Sequence, residues 1–190
     1  MDLSAALAFA LLAHGGQTRK GSCVPYVSHL LQVSGLVLEH AGDPEQACAA
    51  LLHDVVEDTP VTLAQVAEAF GAGVAAIVAD CTDTLEGDAH GAKRPWLERK
   101  RRYVAQLAQV PVRSALVVGC DKLHNMRSLV GDLETHGPEV LTRFNAPPEA
   151  QRWLHGALLG ALNEKVPGRL HAELRDLSAR YAVLTGEHRG

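Results

Sequence analysis

Apolar residues recur at intervals of three and four along most of this chain, the spacing that gathers them on one face of an α-helix. Residues 2–13 carry Leu3, Ala6, Leu7, Ala10 and Leu11 in that register, and residues 26–41 carry Leu30, Val33, Val37 and Leu38. Asp43-Pro44-Glu45 reads as a helix start, an N-cap aspartate followed by proline in the first turn. The helix it opens is expected to run to about Asp58, ahead of Thr59-Pro60. Thr62, with Gln65 three residues later, makes a capping-box pattern for a helix reaching Phe70. Gly71 and Gly73 then separate it from a further helical stretch over residues 74–82. A glycine-containing loop over residues 86–92 precedes a charged helix over 96–109 and an apolar helix over 112–130 that Gly131 should end. A short helix over 138–144 and two longer ones over 148–166 and 170–184 complete the pattern. No run alternates with a period of two, and the short apolar run Leu116-Val117-Val118 has helical flanks. The pattern predicts an all-α, single-domain helical bundle of about nine to eleven helices spanning residues 1–190.

Composition narrows the class. Of 190 residues, 47% are hydrophobic and 21% charged, which describes a globular chain rather than a disordered one. No uninterrupted apolar run approaches the roughly 18 residues of a membrane span. The apolar opening segment lacks the basic leader and small-residue cleavage site of a signal peptide, so it reads as a first helix. A net charge of -4 and a pI of about 6.2 argue against a nucleic-acid binder. Basic residues are nevertheless clustered: six of the ten residues from Lys93 to Arg102, and the pair Arg19-Lys20. Two such spots suit a small phosphate-bearing molecule, although a solvated helix face explains the longer run equally simply. The cysteines Cys23, Cys48, Cys81 and Cys120 include no C-x-x-C pair, which argues against a zinc–thiolate site and for buried free thiols in a reducing cytoplasm.

The strongest chemical signal is His53-Asp54-Val55-Val56-Glu57-Asp58, placed after the apolar run Ala49-Ala50-Leu51-Leu52. On one helix, at about 100° per residue, His53 would stack over Glu57 and Asp54 over Asp58, all four on a shared face. Buried without partners they would be costly. A divalent metal removes that cost, because imidazole and carboxylate are good ligands for Mn, Fe or Zn. A solvated final turn accounts for the same spacing. One His-Asp pair cannot complete a coordination shell, so further ligands must come from elsewhere. His29 opens an apolar helix, and Asp121 follows the apolar run Ala115-Leu116-Val117-Val118-Gly119, where an ion partner, metal or arginine, is expected.

In these motifs the chain resembles the HD superfamily of metal-dependent phosphohydrolases. More narrowly, it resembles the hydrolase domain of RelA/SpoT-type alarmone enzymes and the small alarmone hydrolases. The resemblance rests on Arg19-Lys20-Gly21 ahead of Pro25-Tyr26 and His29, then on Leu51-Leu52-His53-Asp54-Val55-Val56-Glu57-Asp58. Thr62-Leu63, Phe70-Gly71, Cys81-Thr82-Asp83 and Glu98-Arg99-Lys100 follow in the family's order. The last motif is Asp121-Lys122-Leu123-His124-Asn125-Met126-Arg127-Ser128-Leu129, and the stretch from Arg143-Phe144-Asn145 to Trp153 is also similar. The resemblance implies an HD-type helical fold in which His29, His53, Asp54 and Asp121 hold one Mn²⁺ and Glu57 and Asp58 serve catalysis. It further implies a nucleotide site lined by Arg19, Lys20, Asn125 and Ser128. Lys100 is a candidate phosphate contact, and His14 a supporting or structural residue.

The implied activity is removal of the 3′-diphosphate of (p)ppGpp, giving GDP or GTP plus diphosphate. The expected partner is a small-molecule nucleotide, with neither membrane nor nucleic acid involved. Hydrolysis of another nucleotide such as NADPH, and nucleotide binding without turnover, are the alternatives. Two departures from the family's pattern bear on the substrate: Leu30 follows His29 where the long enzymes usually have proline, and the loop over residues 86–92 differs in length. No synthetase domain is expected within 190 residues. The residue chemistry suits phosphate-ester hydrolysis, which needs charge neutralisation and an oriented water. Glu57 and Asp58 are placed to orient or deprotonate that water.

Overall fold

Where the sequence marks a helix start with a capping side chain, the backbone obeys it. The computed structural model describes residues 2–83 and 95–186. Asp2 accepts from the amides of Ser4 and Ala5 to open α1 (Leu3–His14). After α2 (Val27–Glu39), reciprocal capping boxes start α3 (Pro44–Leu52), from Asp43 and Gln46, and α5 (Leu63–Cys81), from Thr62 and Gln65. A single helical turn, α4 (Val55–Asp58), lies between them. The remaining elements are α6 (Trp96–Leu107), α7 (Val112–His136), a 3-10 turn (Pro138–Arg143), α8 (Pro148–Leu162) and α9 (Gly168–Leu184). No strand occurs among the described residues, so the fold is all-α as expected.

The helix expected over residues 148–166 ends at Leu162, and three larger features differ from the sequence expectation. The helix expected over residues 43–58 breaks at His53 and Asp54, so His53 and Glu57 do not share one continuous helical face. Asp54 sits at φ -100, ψ -4, in the sparsely populated bridge region where active-site residues are often found. The His53 ring donates back to the Ala50 carbonyl and the Asp54 carboxylate turns to Tyr26, interactions that anchor the corner. Second, α7 does not stop at Gly131 but continues to Gly137, whose amide reaches the Leu133 carbonyl. A mid-helix glycine costs about 1 kcal/mol. Burial of Leu129, Val130 and Leu133 around it, at about 1.5–3 kcal/mol for each fully buried side chain, outweighs that cost. Third, the short helix after Gly137 is of the 3-10 type. The glycine break foreseen near residue 71 takes the form of a kink within α5, where Gly71 adopts φ +86.

α7 is the central element: it packs against α2, α3, α5 and α9, and α3 is buried from Gln46 through Leu52. α6 lies along α8, and α8 along α9. Lys165, between α8 and α9, donates to the Ala108 and Val110 carbonyls at 2.6 and 2.9 Å and so fixes the end of α6. By length and apolar composition α5 is the one described helix that reaches membrane-span dimensions. Its Gly71 kink divides it into segments shorter than the roughly 20 residues a span needs. Its Val66, Val74, Ile77 and Val78 are buried in the protein. The four cysteines are free. Cys48 and Cys120 are buried and Cys81 partly so, whereas Cys23, expected to be buried, lies exposed on the loop before α2.

Candidate metal centre and nucleotide cleft

The four side chains singled out as ligands come from four places: His29 from the first turn of α2, His53 from the end of α3, Asp54 from the start of α4, and Asp121 from the middle of α7. Atoms of His29, His53 and Asp121, all buried, lie within 4.8 Å of one another. His29 Nε2 is 3.3 Å from His53 Nε2 and 3.2 Å from Asp121 Oδ1, and Asp54 Oδ2 approaches His53 Nε2 to 3.0 Å and His29 Nε2 to 3.6 Å. A cation bound about 2.1 Å from such donors sets neighbouring donors about 3.0–3.4 Å apart.

Protonation makes the same case. His53 Nδ1 lies 2.8 Å from the Ala50 carbonyl, which can only accept, so Nδ1 carries the hydrogen and a neutral ring turns a bare Nε2 to the cluster. That lone pair faces two carboxylates and a second imidazole. Only positive charge relieves the arrangement, and the donor set fits one divalent cation. Without a cation the burden falls on the imidazole. Burial works against the charged His53 ring, but Asp54 and Asp121 outweigh it and raise its pKa well above the ordinary value. Burial likewise disfavours the Asp54 and Asp121 anions. His53 and His29 hold Asp54 below the usual carboxylate range, and Lys122 with the two histidines does the same for Asp121.

A second layer orients this set. The Tyr26 hydroxyl donates to Asp54 Oδ2 at 2.5 Å; Lys122 Nζ donates to Asp121 Oδ2, and Asn125 Nδ2 to Asp121 Oδ1, both at 2.6 Å. Arg19 in turn donates to Asn125 Oδ1 at 2.7 Å, joining the loop before α2 to α7. His29 Nδ1 meets His124 Nδ1 at 2.8 Å. Burial, together with His29 and Arg19, pushes His124 down to about 4, so that partner stays neutral. Such outer partners fix ligand orientation. Tyr26, Lys122 and His124 stand inside motifs already singled out, but one sequence gives no sign of which neighbour faces the ligands. His14 is buried, stacked on the Tyr26 ring, with its Nδ1 2.8 Å from Gln17 Oε1.

Glu57 and Asp58 lie on α4, beside the centre. Loss of hydration and the nearby Asp54 anion raise both carboxyls above their ordinary values. Asp58 lines the adjoining cleft; Glu57 accepts from the Asp83 amide at 3.3 Å and is not part of the cleft wall.

The cleft has a volume of about 910 Å³. One wall is the loop before α2, which folds back on itself: Arg19 N–H meets the Val24 carbonyl and Tyr26 N–H the Gln17 carbonyl. Gly21 turns its tip at φ +73, and a Cβ there would collide with the Arg143 side chain at 2.6 Å. Arg19, Lys20, Lys100, Asn125 and Ser128, all expected to contact substrate, line the space. Lys20 also stacks over Phe144, its Nζ 5.7 Å from the ring centre. Lys100 reaches the cleft with its ammonium already paired to Asp83, a partner the sequence did not suggest. Tyr103, Lys122, Arg143 and His155 line it too. Tyr103 and His155 carry no local motif; only burial against the cleft singles them out. The loop over residues 86–92, and Lys93 and Arg94 of the basic run, lie outside the described residues.

Comparison with known proteins gives a consistent picture. The family model described as an HD domain matches residues 6–143. A probable guanosine-3′,5′-bis(diphosphate) 3′-pyrophosphohydrolase of Synechocystis is 36% identical over 124 residues, 65% of this chain and 16% of that protein. A guanosine-3′,5′-bis(diphosphate) 3′-pyrophosphohydrolase of Haemophilus influenzae is 37% identical over 117 residues, 62% of this chain and 17% of that protein. The chain thus spans about one sixth of the length of these curated relatives. Among solved structures, a metazoan SpoT ortholog described as hydrolysing ppGpp superposes with a TM-score of 0.73 at 28% identity, covering 92% of each chain. A Listeria monocytogenes protein superposes with a TM-score of 0.68 at 26% identity, over 79% of this chain and 96% of its own.

Proposed function

This chain belongs to the HD domain family, and from that premise we propose that it hydrolyses the 3′-diphosphate of guanosine tetra- or pentaphosphate, with one Mn²⁺ held by His29, His53, Asp54 and Asp121. Water attacks the phosphorus bonded to the 3′-oxygen, the P–O3′ bond breaks, and the products are diphosphate and GDP or GTP. The substrate assignment is supported by the activities named for the relatives above. The observation that carries the reading is the convergence of two imidazoles and two carboxylates, with His29 and His53 each 3.0–3.6 Å from both Asp54 and Asp121, beside Tyr26, Lys122, His124 and Asn125 of the cleft wall.

Bound in that pocket, a divalent ion supplies a Lewis acid for a phosphoryl oxygen and lowers the pKa of water. The protein supplies the rest. Asp58 and Glu57 divide the removal of a proton from the attacking water and the return of one to the departing 3′-oxygen. Their raised carboxyls are closer to neutrality than ordinary ones and better suited to both tasks. Arg19 and Lys20 take phosphate oxygens, Arg19 held in place by Asn125. Lys122 and Lys100 offset the charge of the diphosphate, and Ser128 lines the nucleotide end. A nucleotide substrate and unpaired thiols fit a reducing cytoplasm.

The test is an assay of Mn²⁺-loaded protein with ppGpp, with NADPH as a parallel substrate. The expected result is GDP and diphosphate in equal amounts, stopped by chelator and restored by Mn²⁺. Release of phosphate from NADPH with no turnover of ppGpp would replace the proposed substrate. Nucleotide binding without turnover of either compound would make the protein a binding module.

A further inference from the structure

Tyr103 stands on α6, only 4% exposed, and contributes to the cleft wall. Its hydroxyl is buried and has no hydrogen-bond partner among the described residues. Packing alone does not call for that oxygen, since a phenylalanine would fill the ring's place, and a buried hydroxyl left unpaired costs stability. Two ammonium groups flank the ring: Lys122 Nζ at 5.3 Å and Lys100 Nζ at 5.6 Å from its centre. Each lysine is already matched by a carboxylate, Lys122 by Asp121 and Lys100 by Asp83. Among the described residues the phenol is therefore the group in this bracket still lacking a partner, and it lines the same cleft as Arg19 and Lys20, which favours an anionic oxygen as the acceptor. The position is equally specific, because Lys122 bonds Asp121 directly and so ties the bracket to the metal centre.

We propose that the Tyr103 hydroxyl donates a hydrogen bond to a non-bridging phosphate oxygen of the substrate's diphosphate group, beside the metal centre and between Lys100 and Lys122. The proposal deepens the phosphohydrolase reading and rests on it. Tyr103 becomes a substrate-binding residue that holds the diphosphate as it leaves the ribose, and inorganic diphosphate, the product, is the probe that isolates this contact.

Binding of inorganic diphosphate to the metal-loaded protein is measured by titration calorimetry for the wild type and for Tyr103→Phe, with metal content and melting temperature followed in parallel. The substitution keeps the ring and both lysine contacts and removes only the unpaired oxygen. The expected result is binding weakened about tenfold or more, the worth of a hydrogen bond to a charged group. Metal content should be unchanged and the melting temperature equal or higher. Equal affinity in the two proteins overturns the proposal, as does a loss of affinity accompanied by loss of metal or by a lower melting temperature, which marks a structural role. A wild type that binds diphosphate but does not turn over ppGpp refutes the assigned substrate while the Tyr103 contrast still decides this contact. A wild type that does not bind diphosphate overturns the proposed contact, while the ppGpp assay alone decides the phosphohydrolase reading.

Discussion

Around His29, His53, Asp54 and Asp121 each side chain is held from behind: His53 by the Ala50 carbonyl, His29 by His124, Asp54 by Tyr26, and Asp121 by Lys122 and Asn125. In the neighbouring cleft the pattern reverses. Among the described residues the Tyr103 hydroxyl and His155 Nδ1 are buried without a partner, and wall residues reach in from the loop before α2, α6, α7, the 3-10 turn and α8. The first region spends its hydrogen bonds on internal order, which would hold the candidate ligands in place for an ion. The second leaves polar atoms unpaired that a bound anion can satisfy. The family match also ends at residue 143, so α8, with Gln151, Leu154, His155 and Leu158 on the cleft, lies beyond the matched part. The candidate centre thus lies wholly within the matched part, whereas the cleft wall extends past it through α8.

The contrast can be broken most severely at the centre. His53→Ala is expected to abolish both metal binding and turnover, read by metal analysis and by the ppGpp assay; retention of full metal content would contradict the ligand set. Asp58→Asn should leave metal in place while lowering kcat about 10²–10⁴-fold, which separates the acidic pair from the ligands. Asn125→Ala tests the outer layer and should weaken metal affinity about 10–100-fold, measured by competition with a chromogenic chelator. An unchanged affinity would remove Asn125 from the support of Asp121.

Gentler measurements sharpen the contrast through pH. Because Glu57 and Asp58 have raised carboxyls, their anions form only above the ordinary carboxylate range of roughly 4. The acid limb of the kcat/KM profile should therefore lie above that range, and a limb at or below it would rule out the pair. On the cleft side, burial pushes His155 down to about 4. Between its folded value and the ordinary value of about 6.5, the unfolded chain binds the extra proton, so stability falls as pH drops through that window. His155→Phe should flatten the decline of melting temperature from pH 6.5 to 4 by a few degrees, the smallest of these effects.

Much of this was legible in the order of residues, for identifiable reasons. Capping boxes at Asp43 and Thr62 act through neighbours three residues away, so local sequence is enough to place those starts. The four ligand candidates were visible because ionisable groups in apolar runs demand partners. What escaped depends on contacts between distant segments. The pairing of Lys100 with Asp83 crosses from the end of α5 to α6, and continuation of α7 past Gly131 depends on side chains buried by other helices. The role of Tyr103 appears only once Lys122, on another helix, is set beside its ring.

The corner at His53 and Asp54 has a consequence for how such a chain can change over generations. Adjacent residues leave the backbone from the end of one helix and the start of the next, so a single dipeptide supplies two converging directions. One inserted residue there would swing the following turn by about 100°, carrying Asp54, Glu57 and Asp58 away together. The segments between α2 and α3 and between α8 and α9 contribute nothing to the cluster of His29, His53, Asp54 and Asp121 and can lengthen without moving it. Tolerance to insertion along this chain should therefore be sharply uneven, with its narrowest point at that corner.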